Sequence, residues 1–431
     1  MKNIVTAVTV SLLVLCISAG SALAGGYQLN LLGQRQIAMG HTGAGMPLDL
    51  AAIAQNPGGF SLLDHNGINL GSSATFINST FSSSLVQGYE AETDSDVRTP
   101  FSIYAAYDLP VDNLKAGLGV YTPYGNSLRW GDDWMYSGLL SEISMFTVFI
   151  QPTVGYQLTE RIGVGAGLIY AIGSVNLQRS TELDLTAFGM SDDVPLHVEL
   201  DGSTNAFGFN TGIHYQHNDM LSLGVSYRSK IDMDMEGGDA NFTLTGVPEQ
   251  FAEAMFPSGN TFDASLPLPA VLSIGLGLNV SEDLRLALDG NLTFWSTYEN
   301  LAFDFEENTQ ALEDSNEPRD YNDRWIFRIG GEWDATDALQ IRLGSYYDPS
   351  PVDEGYITPE TPDVDRFGFS AGVGYAFTPQ FGMNASVLVI TSGSREQSLE
   401  DAAQPGTPSV VPIGEFQTSA VIPGISVYHN F

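Results

Sequence analysis

Two histidines, His214 and His217, stand three residues apart in a chain that carries six histidines and one cysteine. On a helix that spacing could aim both imidazoles at one metal ion. On a strand it puts them on opposite faces, here beside a turn at 216–219, so no metal site is expected. Gly163-Val-Gly-Ala-Gly167 mimics a dinucleotide loop, but such a loop needs a following helix whose N-terminus meets the phosphates. No helical pattern follows it; the glycines are read instead as room for a neighbouring backbone. Asn78, Asn241 and Asn291 each open an Asn-X-Ser/Thr triplet, taken as chance. A hydrolase would need a serine, a histidine and an acidic or amide partner on one face, and no pattern singles such a set out. No catalytic residue, metal or cofactor is therefore expected. What remains is binding chemistry: a few arginines in a very acidic chain, and clusters of aromatic side chains.

The formal net charge of −35 excludes nucleic acid as a partner, because phosphates would be repelled. Acidic runs at 90–96, Glu306-Glu307 and Asp353-Glu354 fit solvated loops, and equally divalent-cation binding at a cell surface. Residues 1–24 have a charged start at Lys2, an apolar stretch from Val5 to Ile17, and Ala22-Leu23-Ala24 before Gly25. That is the layout of a cleavable export signal. The one cysteine, Cys16, lies within it behind Leu15, which is too large for a lipidation site. Beyond the signal no run approaches the about 20 apolar residues of a membrane helix.

Period-two alternation is the dominant pattern. Leu284, Leu286, Leu288 and Leu292 share one face; Arg285, Ala287, Asp289, Asn291 and Thr293 share the other. Such segments begin near Gly67, Phe101, Leu114, Met145, Arg161, His197, Met220, Ala270, Leu284, Arg324, Ala338, Arg366, Phe381 and Val421. About 14 strands, an even number, suit a closed antiparallel barrel, the form that satisfies every backbone group of a membrane-spanning sheet. Tight turns at 110–113, 158–160, 216–219, 281–283, 334–337 and 378–380 alternate with long polar stretches at 79–99, 122–144, 236–268, 296–323, 348–365 and 392–417. An exported chain that ends in a strand, with Phe431 last, resembles the outer-membrane barrels of Gram-negative bacteria. Residues 25–64 do not alternate. Leu31, Leu32, Ile37, Met39, Leu48, Leu50 and Ile53 lie there at helix-like spacing, and a free tail would leave them uncovered. A lumen of this width is too large for side chains alone to fill. The segment is therefore expected inside the barrel as a small, mostly helical plug, with the barrel wall over 65–431.

Gly25-Gly-Tyr-Gln-Leu-Asn30, Gly40-His-Thr-Gly-Ala-Gly45 and Ala51-Ala-Ile-Ala-Gln-Asn-Pro-Gly58 are similar to the N-terminal hatch of the FadL family. That family comprises outer-membrane transporters of long-chain fatty acids, with relatives that import aromatic hydrocarbons. Tyr27 stands where the family usually has Phe, and Gly58 where it usually has Ala. The likeness continues at Thr122-Pro-Tyr-Gly125 with Trp130, at Leu266-Pro-Leu-Pro269, at Asp323-Arg-Trp325 and at Pro362-Asp-Val-Asp-Arg-Phe367, and so covers the mature chain.

The resemblance implies a monomeric barrel among outer-membrane lipid and lipopolysaccharide that imports a long-chain fatty acid or another hydrophobic small molecule. It implies a capture groove from the loops after the third and seventh strands, which places Trp130 and Trp134 in one wall and Phe256 in the other. An aromatic girdle at the membrane interface is the competing reading for the two tryptophans. The resemblance further implies sideways release beside the hatch at a kink in the third strand, with Gly117 and Gly119 as weak points and Tyr27, Asn56, Pro57 and Gly58 in the hatch beside it. A bulky residue at Gly119 would then cut uptake without harming folding. From alternation, Arg228, Arg285, Arg328 and Arg342 point into the lumen. Arg228 and Arg328, nearer mid-depth, are the candidates for a carboxylate head group, with pairing to a lumen carboxylate such as Asp289 as the alternative. Arg285 and Arg342 are expected to meet hatch carboxylates such as Asp49. A hydrocarbon importer would not need the arginines. A general porin and a surface adhesin or structural barrel are the rivals of another class.

Overall fold

The structure, a computed structural model, describes residues 26–186 and 193–431. The expected export signal lies outside the described residues. The wall is a closed ring of 14 antiparallel strands: β1 (Gly67–Ser73), β2 (Phe101–Asp108), β3 (Leu114–Tyr121), β4 (Glu142–Thr159), β5 (Ile162–Leu183), β6 (Val194–Gln216), β7 (Leu221–Arg228), β8 (Val271–Asn279), β9 (Leu284–Thr293), β10 (Arg324–Asp334), β11 (Leu339–Asp348), β12 (Arg366–Ala376), β13 (Phe381–Ser392) and β14 (Gly414–Asn430). β14 closes the ring by pairing with β13 on one side and β1 on the other.

Alternation explains the wall. On β9, Leu288 is turned outward and exposed, while Ala287, Asp289 and Thr293 are buried on the lumen side. Four strands are interrupted and then resume at the long-loop end. β1 continues as Phe76–Ser83, β3 as Gly125–Arg129 and β7 as Ile231–Leu244, and Asn260–Leu268 leads into β8. The stretch 236–268, read from sequence as loop, is therefore mostly strand, with one short helix at Glu249–Met255. β4, β5 and β6 also run well past the 9–11 residues that cross a bilayer.

The N-terminal segment lies against the lumen side of the wall. It is not mostly helical. It holds only α1 (Gln34–Ala38), α2 (Ala52–Gln55) and α3 (Pro57–Phe60). The reason is that the wall, not the segment itself, satisfies much of its backbone. Asp289 accepts from the N–H groups of Gly43 (2.7 Å) and Ala44 (2.8 Å). Gln151, Asn210, Ser222 and Ser226 donate to the carbonyls of Ile53, Ala54, Gly45 and Gln55. Gly40 and His41, both at positive φ, turn the chain out of helical geometry. The fit is close enough to demand glycine in the wall: a Cβ on Gly165 would stand 2.2 Å from the Pro57 carbonyl oxygen.

Candidate functional site

Two of the spaces between the N-terminal segment and the upper wall bear on the site. One is apolar, lined by Ile143, Met145, Val175, Leu177, Leu200 and Phe262, with Tyr27 at one edge and Glu360 at another. The second is polar and is lined by Gln28, His41, Asn210, Asn291, Asp289 and both Arg228 and Arg328. Tyr27 and Gln28 are adjacent in sequence, so the two spaces meet at the start of the described chain. Two wall interruptions are tied together here. The Tyr27 hydroxyl donates to the Pro267 carbonyl. The Tyr124 hydroxyl donates to the Pro269 carbonyl (3.1 Å) and accepts from Arg228 Nη2 (2.8 Å).

The structure thus brings Arg228 and Arg328 to one space. Among the described residues neither has a carboxylate within ion-pair distance. Arg228 lies 5.2 Å above the Tyr124 ring and Arg328 5.8 Å from that of Tyr346. Nε of Arg328 is buried without a partner. Asp289, the alternative partner, is occupied with the segment's amides. Arg285 and Arg342 do not pair with Asp49. They converge with Arg35 on the buried carboxylate of Glu332, at 2.7, 2.6 and 2.5 Å. Asp49 instead accepts from Gln36 (2.7 Å) and from the Ala51 N–H (3.0 Å).

Sequence reading missed two further cations. Arg179 follows Val175 and Leu177 on the same face of β5, one step beyond the apolar space, and its Nε is buried and unpartnered. Arg319, from the loop after β9, pairs with Glu360 at the edge of that space and leaves its own Nε buried and unpartnered. Burial opposes the Arg319 charge, but Glu360 more than offsets this, so the guanidinium pKa is raised. Tyr298 beside it is pushed up to about 12 by burial, against the pull of Arg319, and stays a neutral hydroxyl. Period two would have placed Arg179 inward; the loop pair of Arg319 with Glu360 left no such trace.

Other expected site residues fall elsewhere. Trp130 and Trp134 stack at 4.6 Å but are only 6% and 4% exposed, packed under Phe81, Tyr136 and Phe416. Trp130 lines no open groove, whereas one edge of Trp134 borders the groove at the long-loop end. Phe256 stacks on Phe242 (5.1 Å), and no ring contact joins it to the tryptophans. That groove is formed by 132–139, Trp134 among them, with Pro195, His197 and Val410; Trp130 and Phe256 do not line it.

Asn56, Pro57 and Gly58 do not sit at the third strand. Asn56 donates to Ile213 of β6 (3.3 Å), Pro57 lies on Gly165 of β5, and Gly58 on Ile213. Gly117 and Gly119 are no weak points either, because β3 is paired along its length with β2 and β4. The interruption comes after them, at 122–124. Gly117 is where Ile53 and Phe60 pack, and a Cβ there would stand 2.7 and 2.8 Å from their side chains. At Gly119 a Cβ would stand 3.1 Å from Tyr104 and 3.3 Å from Ile53, so bulk there would strain the fold as well. Gly117→Leu should therefore destabilise the barrel by about 1–3 kcal/mol, the usual range of overpacking, read by thermal unfolding in detergent. An unchanged midpoint would show that Ile53 and Phe60 do not rest on this strand.

His214 is buried under the segment and His217 lies at the turn near Tyr215. No group of three potential metal ligands occurs among the described residues.

A family described as "Outer membrane protein transport protein (OMPP1/FadL/TodX)" matches residues 14–431. The 47 kDa outer membrane protein of Pasteurella multocida is 25% identical over 384 residues, 86% of this chain and 88% of that one. The long-chain fatty acid transport protein of Escherichia coli K12 is 21% identical over 407 residues, 88% and 90% of the two chains. Among solved structures, a Pseudomonas aeruginosa FadL homologue superposes with a TM-score of 0.80 at 18% identity, covering 94% of this chain and 100% of its own. The P. putida toluene transporter TodX does so at 0.70 and 18%, covering 95% and 99%.

Proposed function

Because the chain belongs to the OMPP1/FadL/TodX family of outer-membrane transport proteins, and is thus a transporter of hydrophobic compounds, we propose that its cargo is a long-chain fatty acid. The observation that carries this reading is the placing of cations at both ends of an apolar space. Arg319 pairs with the buried Glu360 at the long-loop end, where Arg179 lies one step beyond the apolar lining, and Arg228 and Arg328 stand without a carboxylate in the adjoining polar space. A buried guanidinium without an anion is costly. An uncharged cargo would gain nothing from that cost, whereas a carboxylate with an apolar tail relieves it. The curated relative named for long-chain fatty acids agrees with this reading. The solved structure named for toluene keeps an uncharged aromatic cargo as the alternative.

In this reading the open groove beside 132–139 captures the molecule, the apolar space holds its tail, and an arginine pair holds its head. The N-terminal segment acts as the hatch that closes the lumen to ions. Release is sideways through the interruption of β3 at 122–124. The test is binding of labelled oleate to the purified protein, against Arg179→Ala with Arg319→Ala, and against Arg228→Ala. A lost charged hydrogen bond is worth about 1.5–3 kcal/mol, so affinity should fall roughly 10- to 100-fold in at least one variant. Oleate affinity unchanged in both, with saturable toluene binding, would move the cargo to the uncharged class.

A further inference from the structure

The ring has a second discontinuity, on a different side from the break in β3. β6 and β7 are in register from Gln216↔Ser222 to Asn210↔Arg228. Register resumes only at Asp201↔Asp239, where β6 meets the continuation Ile231–Leu244. The Ser229 N–H still donates to the Phe209 carbonyl (2.9 Å), so residues 202–208 of β6 lack a ladder partner on that side, a length of roughly 23 Å at about 3.3 Å per residue. Over this stretch Ile231–Leu244 is held by its other neighbour, from Ile231↔Leu268 to Met235↔Ala264.

The Thr204 hydroxyl donates to the Asp234 carbonyl across the slit, and side-chain packing closes the rest. The inward residues of β6 here are all small: Gly202, Thr204, Ala206 and Gly208. Across them lie Ile231, Met233 and Met235, all buried. A Cβ on Gly208 would stand 2.5 Å from Ile231 Cγ1, one on Gly202 3.0 Å from Met235 Sδ, and one on Gly173 of β5 2.7 Å from Met233 Cε. Unbranched methionines over a floor of glycine can swing aside at little cost. Met235 also lines the apolar space, so the inner mouth of the slit is the cargo site itself.

The lower end of the outer mouth reaches membrane level. Phe207 is 65% exposed and its ring is 5.1 Å from that of Tyr170, and nine residues separate it from the turn after Gln216. That is about the length that crosses the apolar band, which puts this aromatic pair at the outer interface. The rim above it is acidic, with Asp232 (paired to Lys230 at 2.9 Å) and the exposed Asp234. Carboxylates are repelled there; an uncharged molecule is not.

We propose that the slit between β6 and β7 is a lateral portal through which uncharged apolar molecules dissolved in the outer leaflet reach the apolar space, bypassing the loops. This rests on the transport reading above but assigns a second route and a second ligand class to it. The test is a disulfide across the slit, Gly208→Cys with Ile231→Cys, in a chain whose one native cysteine is Cys16. Uptake of toluene loaded into the membrane, and of oleate given from water, is compared in oxidised and reduced forms of the same protein, with folding checked by thermal unfolding. Loss of toluene uptake on oxidation, recovery with reductant and unchanged oleate uptake are expected. Equal toluene uptake in both forms, or loss of both cargoes together, would overturn the portal. A reduced protein that moves neither cargo would overturn the transport reading, and the portal with it.

Discussion

Glu332→Ala is expected to cost about 3–5 kcal/mol of stability and to free the N-terminal segment, because it removes the one carboxylate on which three guanidinium groups converge. Glu332 is fully buried and accepts from Arg35 of the segment and from Arg285 and Arg342 of the wall. Without it Arg285 keeps Asp334 (2.8 Å) and Arg342 keeps Asn384 (2.8 Å). Arg35 retains only its bond to the Leu48 carbonyl, within the segment itself. The exposed pairs of this protein give the contrast: disrupting the half-exposed contact of Lys230 with Asp232 should cost less than about 1 kcal/mol. Arg35→Ala separates the two consequences. It cuts the link between segment and wall but leaves Glu332 with two arginines, so the ring should hold while the segment loosens. Tryptic cleavage next to position 35 and ion conductance in a planar bilayer read the loosening in Glu332→Ala, and conductance alone reads it in Arg35→Ala. Denaturant midpoints read the stability. Wild-type midpoints in Glu332→Ala would mean that the cluster is a by-product of packing.

The wall was legible because a lipid-facing strand writes its geometry into the sequence. Leu288 outside and Asp289 inside on β9 are fixed by solvent on each face, whatever the neighbours. The tight turns followed for the same reason. What escaped depends on partners distant in sequence. Most of the strand pairing at Ile231–Leu244 and Asn260–Leu268 lies above the membrane, where the outer face is polar and the pattern reads as loop. The segment's helices were overestimated because spacing of Leu and Ile records burial, and here burial comes from a wall that surrounds the chain. Asn56 and Pro57 carry no mark of which strand they will touch, and they rest on β5 and β6 rather than β3. Inward arginines were predictable one by one, whereas the meeting of Arg35, Arg285 and Arg342 on Glu332 was not. Trp130 was taken for contact surface because exposed and buried loop aromatics look alike in a sequence.

A disulfide between position 29 and position 125 should abolish uptake while leaving cargo binding intact. β2 pairs with β3 only as far as Ser102↔Tyr121. Beyond the interruption, Gly125–Arg129 is paired with β4 on one side; on its other edge Asp94 N–H holds the Arg129 carbonyl (2.9 Å) at the far end, and the near end would be left with open backbone groups facing the bilayer. Such an edge is not tolerated in lipid. The N-terminal segment covers part of it as a short added strand: Gly125 N–H donates to the Tyr27 carbonyl (3.0 Å) and Leu29 N–H to the Pro123 carbonyl (2.8 Å). The chain that lies between the apolar and polar spaces is thus also the chain that seals the wall. In the proposed route, sideways release requires these two bonds to break, at a net cost of about 1 kcal/mol each, which would leave the open form at a few per cent of the population. A Cβ on Gly125 would stand 3.0 Å from Leu29 Cδ1, so cysteines at the two positions face one another. Leu29→Cys with Gly125→Cys, oxidised, removes the open form and keeps the arginines and the apolar lining untouched. Oleate should then bind and not pass, and reductant should restore passage. Undiminished uptake in the oxidised protein would mean that cargo leaves by another path, with the segment's seal at 27–29 serving the wall alone.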